Sequence, residues 1–286
     1  MTRNQLVDQI FSKQSYLCIG LDTDITKIPK HLLSLNDPVF EFNKKIIDST
    51  KDLCVAYKIN TAFYEAMGLK GWTSLEKTVN YIPKDHFKVA DAKRADIGNT
   101  SAQYAIAFFK TLNFDAVTVA PYMGEDSVRP FLEYAGKWTI LLGLTSNPGA
   151  RDFELQKVIT ETDLLEEGIH IAKLQTERLY EKVLRAASKW GSAGQLMFVI
   201  GATQAGEFSN IRNIIPHHFC LVPGVGVQGG DLKEISEKAM IKDCGILVNV
   251  SRDIIYASGN DDFDKSARAV ALKYQQEMVQ YLKRLF

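Results

Sequence analysis

Nothing in this 286-residue sequence gives it a bulk charge, because 34 Lys and Arg balance 34 Asp and Glu. A chain so balanced has no broad field to draw nucleic acid or an anionic membrane, and neither is expected as a partner. No apolar run approaches the roughly 18 residues that a membrane span needs. Residues 1–13 read as a polar amphipathic helix without a signal-peptide core. Only four cysteines are present, Cys18, Cys54, Cys220 and Cys244, widely spaced and in or beside apolar runs. That pattern excludes a disulfide framework and a zinc spacing, and it predicts buried, reduced thiols. The five histidines (His31, His86, His170, His217 and His218) show no metal-ligand spacing either. There is no Ser-His-Asp arrangement, no P-loop and no dinucleotide fingerprint after the first strand. No linker, low-complexity tract or strong internal repeat divides the sequence. One domain, residues 1–286, in the cytoplasm is the expectation.

What is present is ordinary for a globular protein, with 46% hydrophobic and 24% charged residues. Eight apolar runs of strand length occur at residues 16–21, 53–57, 87–90, 116–120, 139–144, 196–200, 219–222 and 246–250. They lack polar alternation, as parallel strands buried on both faces should. Helical spacing fills the intervals, for example Ala102, Ala105 and Phe109, or Ala267, Val270, Ala271 and Tyr274. This repeated alternation predicts the α/β class and a single (β/α)8 TIM barrel, with a doubly wound sheet as the alternative. The barrel is preferred because nearly every run ends in polar or turn-forming residues, and a barrel gathers all such ends around one mouth. The connection between strands 5 and 6 is enlarged, running over residues 146–195. Its first part, residues 148–153, reads as an active-site loop. Its second part, residues 163–190, carries Leu164, Leu165, Ile169, Ala172, Leu179, Val183, Leu184 and Ala187 at helical spacing. An amphipathic helix ended by Gly191-Ser192-Ala193-Gly194 is expected there.

Charge is concentrated where the third strand gives way to a helix. Asp91, Lys93, Arg94 and Asp96 fall within six residues. On a regular strand, side chains two apart share a face, so Asp91 and Lys93 would point the same way. Asp22 and Lys58, at the first and second strand ends, extend an array of alternating sign. Ammonium groups between carboxylates stay protonated, which suits a reaction that develops negative charge and needs a proton donor. It does not suit Schiff-base chemistry. The alternative for each member is a salt bridge at a solvated rim. A second signal is Pro223-Gly224-Val225-Gly226-Val227-Gln228-Gly229-Gly230-Asp231, with four glycines in seven residues. Such a loop is either a tight turn or a phosphate cradle of free N–H groups opening onto a helix N-terminus. Arg252 at the neighbouring strand end favours phosphate.

These residues resemble a known family. Asp-x-Lys-Arg-x-Asp-Ile-Gly-x-Thr after the third strand and Pro-Gly-Val-Gly-x-Gln-Gly-Gly-Asp after the seventh are similar to the orotidine 5′-phosphate decarboxylase family. The similarity is to its longer bacterial form, whose Thr-Ser-Asn-Pro-Gly stretch stands here at residues 145–149. The resemblance implies decarboxylation of orotidine 5′-phosphate to UMP and CO2 without a cofactor or metal. Lys93 would protonate C6, Asp91 would sit beside the substrate carboxylate, and Lys58 would bridge ribose and the charge array. Asp22 would bind a ribose hydroxyl and Ser146 the pyrimidine. Pro223 and Gln228 would belong to a closing loop, with Gln228 and Arg252 on the phosphate. Ser251 stands where shorter relatives carry glycine and would offer a backbone contact. Asp96, Ile97 and Thr100 would reach into the other subunit of a homodimer.

Two alternatives to this assignment remain open on the residues. A Mg²⁺-dependent sugar-phosphate decarboxylase of the same superfamily would need an acidic ligand where Lys58 stands. A catalytically silent nucleotide-binding protein would have no need of the Asp91, Lys93 and Asp96 set.

Overall fold

The computed structural model describes residues 1–160, 175–226 and 229–285. Eight parallel strands close into a barrel: β1 Leu17–Gly20, β2 Ala56–Asn60, β3 Phe87–Arg94, β4 Ala116–Val119, β5 Trp138–Leu144, β8 Leu196–Ile200, β9 Phe219–Pro223 and β10 Ile246–Val250. β1 pairs with both β2 and β10, which closes the ring. Four of the eight barrel strands are buried along their whole length, as the unbroken apolar runs predict, and three more at all but one residue. β3 differs. It is buried only in its first half and continues past Ala90 through the charged residues to Arg94.

The helices between the strands start where the sequence supplies caps. α1 (Arg3–Lys13) begins with a capping box from Thr2 and Gln5. α2 (Pro38–Thr50) has Pro at its start and Asp37 accepting from the Phe40 N–H at 3.1 Å. Two helices follow β2, α3 (Thr61–Glu65) and α4 (Leu69–Tyr81), and α5 (Gly98–Ile106) follows β3. α6 (Glu125–Leu132) lies between β4 and β5. No helix among the described residues is long and apolar enough to cross a membrane.

Aromatic rings close the bottom of the barrel. Trp138 packs edge-on against Phe87 at 5.9 Å and Phe219 at 6.1 Å, all three near the starts of their strands. The Arg3 guanidinium lies over the Phe219 ring, and the Trp138 indole donates to the Met1 carbonyl. His218 and His86 are buried at this same end, the starts of β9 and β3. The four cysteines are buried and free, and burial pushes their thiols up. With one end filled by side chains, the polar strand ends are left to form a mouth at the other.

The enlarged connection departs from the predicted long helix. Leu164, Leu165, Ile169 and Ala172 lie outside the described residues. Thr176–Arg178 (β7) is extended and pairs antiparallel with Lys157–Ile159 (β6), so the helix does not run through it. The helix is α7, Leu179–Ala187. It starts there because the Glu181 carboxylate accepts the Arg178 N–H at 2.5 Å, while the Arg178 side chain is held by Glu207 at 2.7 Å. The remaining helices are α8 (Phe208–Ile214), α9 (Leu232–Ala239), α10 (Arg252–Ile255) and α11 (Phe263–Leu282).

Candidate functional site

The register of three adjacent strands sets the charges side by side. Gly20 of β1 pairs with Lys58 of β2, and Asn60 of β2 pairs with Asp91 of β3. Asp22 follows two residues after Gly20, so Asp22, Lys58 and Asp91 share one rim. Lys58 Nζ lies 3.3 Å from Asp22 Oδ1 and 2.9 Å from Asp91 Oδ2. Lys93 Nζ lies 2.6 Å from the other Asp91 oxygen. The order is therefore Asp22, Lys58, Asp91, Lys93, with signs alternating throughout.

Burial grades along this array. The Lys58 side chain is 4% exposed and the Lys93 side chain 49%. Burial alone would lower the Lys58 ammonium, but Asp22 and Asp91 outweigh it and hold it well above the usual lysine range. Burial alone would raise Asp91, but Lys58 and Lys93 outweigh it and hold the carboxyl far below the usual range. Asp91 is thus a fixed anion and Lys58 a fixed cation.

Asp91 and Lys93 meet, though not by the regular alternation of a strand. Between the pairs Ala90–Val117 and Arg94–Val119, β3 contributes Asp91, Ala92 and Lys93 while β4 contributes Thr118 alone. At this bulge Lys93 takes a left-handed backbone, with φ of 47°. Arg94, the other cation of the motif, turns away. It pairs with Glu65 and lies over the Tyr104 and Phe108 rings.

Asp22, Lys58, Asn60, Asp91, Pro223, Ser251 and Arg252 all line one cavity of about 350 Å³ at the barrel mouth. Ser251 Oγ donates to Asp22 Oδ2 at 2.7 Å. Arg252 is exposed at the rim as the first residue of α10. Ser146 stands beyond the end of β5 and lines a separate cavity of about 500 Å³ with Asn147, Pro148, Arg151, Thr203 and Gln204. Asp96, Ile97 and Thr100 stand at the start of α5, with Ile97 57% exposed. Gln228 lies outside the described residues.

The glycine loop differs from a row of free amides. The N–H groups of Gly226, Gly229 and Gly230 bond to carbonyls of the loop itself, at 3.2, 2.7 and 3.0 Å. The start of α9 is likewise taken, since Asp231 accepts from the Glu234 N–H at 3.0 Å. Glycine is nonetheless required at Gly226, where φ is 83° and a Cβ would come 2.0 Å from Asp253 Oδ2.

Several site residues escaped the sequence reading. Tyr256 donates to the Asp22 carbonyl at 3.0 Å and accepts from the Asp24 N–H at 2.7 Å, which fixes the turn after β1. Asn249 lines the cavity, and its buried Oδ1 has no hydrogen-bond partner among the described residues. Thr118 bonds to both Asp91 and Lys93. Asn249 and Thr118 share a signal that could have found them. Each is a lone polar residue inside an otherwise apolar, buried strand.

Comparison with known proteins places the whole chain among relatives of one family. The model of the family described as orotidine 5′-phosphate decarboxylase / HUMPS matches residues 15–269. An orotidine 5′-phosphate decarboxylase of Bacteroides fragilis is 53% identical over 286 residues, with 99% of each chain covered. The solved structure of Leishmania donovani OMP decarboxylase has a TM-score of 0.77 at 30% identity, covering 98% of this chain and 99% of that one. That of Leishmania donovani UMP synthase has a TM-score of 0.81 at 33% identity and covers 96% of this chain. This chain spans 55% of that longer protein.

Proposed function

Since this chain belongs to the orotidine 5′-phosphate decarboxylase / HUMPS family, we propose that its charge array is the catalytic centre, with Lys93 as proton donor to C6. The reaction is decarboxylation of orotidine 5′-phosphate to UMP, a carbon–carbon lyase step of pyrimidine biosynthesis. The residue roles are our own reading, and the observation that carries it is the unbroken sequence of contacts Asp22–Lys58–Asp91–Lys93.

Loss of CO2 from C6 leaves an electron pair on an sp² carbon that the ring does not delocalise. Stabilisation must therefore come from charge already in place, which costs no reorganisation as the anion forms. Lys93 supplies a positive charge beside C6 and then its proton, giving UMP and leaving an amine that solvent reprotonates. Asp91 stands against the substrate carboxylate and keeps the Lys93 ammonium aimed. Lys58, buried and paired on both sides, fixes Asp91 and reaches the ribose with Asp22. A divalent cation between Asp22 and Asp91 would have to displace the Lys58 ammonium, which sits there already.

Arg252 binds the phosphate, with Gln228 and Pro223 from the closing loop, and Ser251 contributes at its foot. Ser146, which lines the neighbouring cavity beyond β5, would meet the pyrimidine from that side. Phosphate contacts are remote from C6, so their binding energy can drive loop closure and appear in kcat. Asp96, Ile97 and Thr100 complete the site of a second copy, making the enzyme a homodimer. We further take the chain as one domain of 286 residues acting in the cytoplasm.

The test is a spectrophotometric assay of purified protein with orotidine 5′-phosphate, with and without EDTA. Turnover that survives EDTA supports the metal-free reading. Loss of turnover on chelation, restored by Mg²⁺, would overturn it.

A further inference from the structure

We propose that Thr118 of β4 is a positioning residue for the reaction, holding Lys93 and Asp91 in their working geometry. The proposal rests on the reading of Lys93 as proton donor.

Thr118 is the only β4 residue facing the three-residue bulge Asp91, Ala92 and Lys93. Such a bulge removes ladder partners, and a buried N–H without one is costly. The Lys93 N–H is rescued by a side chain, donating to Thr118 Oγ1 at 2.9 Å. The same hydroxyl donates its own proton to Asp91 Oδ1 at 3.1 Å. That oxygen is also the one that holds Lys93 Nζ at 2.6 Å. Thr118 therefore grips the lysine at both ends, by its backbone directly and by its ammonium through Asp91.

This grip has work to do. A left-handed backbone is unfavourable for a residue with a side chain, and it persists only where the surroundings enforce it. Lys93 has that backbone. Thr118 is 1% exposed, so water has little access to replace the hydroxyl, and its branched Cβ limits the rotamers open to it. Without the hydroxyl, the Lys93 N–H and one Asp91 oxygen each lose a partner, and the strand can relax toward regular alternation. The ammonium would then move relative to C6, where displacements near 1 Å are expensive. Ribose and phosphate contacts lie on other strands, at Asp22 and Arg252, so substrate binding should be spared.

The decisive variant is Thr118→Val, which keeps shape and removes both bonds. The expected result is a fall in kcat on the order of tenfold to a hundredfold, with KM and UMP affinity changed by only a few-fold. Exchange of the C6 hydrogen of UMP in D2O, the reverse of the protonation step, should fall in parallel. Thr118→Ser should recover most of the loss, and Thr118→Ala should not. That pair isolates the hydroxyl even where valine impairs folding. Wild-type kcat in Thr118→Val, or equal losses in Thr118→Ser and Thr118→Ala, would overturn the proposal. Lys93→Ala measured alongside separates the two readings. If it is inactive while Thr118→Val is fully active, Thr118 alone loses its role; if it turns over near-normally, the proton-donor reading falls and takes this proposal with it.

Discussion

Gly20 and Ser251 occupy one space at the barrel mouth: a Cβ on Gly20 would come 2.0 Å from Ser251 Oγ. The glycine ends β1 two residues before Asp22, and the serine donates to Asp22 Oδ2. A small residue on one strand thus makes room for the side chain that orients the carboxylate on the same strand. Gly20→Ala should cost about 1–3 kcal/mol of stability through overpacking, read from the denaturant midpoint. It should also raise KM several-fold as Ser251 is pushed off Asp22. Adding Ser251→Gly should restore stability but not KM, and additive stability losses would show that the two residues do not compete.

Lys93→Ala removes the proposed proton donor while leaving Asp22, Lys58 and Arg252 in place. Turnover should fall by several orders of magnitude, because one group supplies both the stabilising charge and the proton. Binding of UMP, measured by calorimetry, should change far less. Near-normal kcat would reassign the donor.

The strands were legible because burial on both faces leaves continuous apolar runs, and all eight runs form the barrel. The charged motif was legible as chemistry for the opposite reason: four charges at a strand end are too many for a core. The same charges hid the strand, and β3 runs four residues past Ala90, where the apolar run stops. Periodicity also misread Thr176–Arg178, whose extended form depends on pairing with Lys157–Ile159 some twenty residues earlier. Thr118 stood out only as a lone polar residue in an apolar run, and because threonine is common in strands, only the register shows what it faces. The glycine loop pointed to free amides, yet hydrogen bonds between its own residues are a property of the folded loop that composition cannot reveal.

Arg252→Ala should act mainly on binding. A charge-assisted contact to phosphate contributes about 1.5–3 kcal/mol, so KM should rise by roughly tenfold to a hundredfold. Added salt should raise the wild-type KM and affect the variant less. An unchanged KM would remove Arg252 from the phosphate site.

Asp91 and Lys58 should be silent across the physiological pH range. Asp91 is depressed, so its contribution to stability is present above the ordinary carboxylate range, near pH 4, and is lost only as pH falls through its lower folded value. Lys58 is raised, so its contribution is full below about pH 10 and is lost only as pH climbs through its higher folded value. From pH 5 to 9 neither group changes charge, so neither should add a step to the kcat profile in that window. By contrast, kcat/KM should fall below about pH 6, where a phosphate monoester takes up its second proton. A kcat titration centred inside the window would mean that a group other than Asp91 and Lys58 governs the chemical step.

Asp96 and Lys93 are three residues apart in sequence, yet the proposed homodimer puts them to work in different sites. Within one chain, Asp96 Oδ1 is bonded to the Ile97 N–H at 2.8 Å, at the exposed start of α5. If Asp96 completes the partner's site, Lys93→Ala on one chain and Asp96→Ala on the other fall in the same site of a mixed dimer. A heterodimer of the two would hold one doubly altered site and one intact site. Random mixing makes half of all dimers mixed, so two nearly inactive proteins should together recover about a quarter of wild-type activity. If Asp96 instead serves its own chain, every site in the mixture lacks one residue and nothing is regained. Unfolding and refolding the variants together, then assaying decarboxylation, decides between these outcomes, with each variant refolded alone as the control.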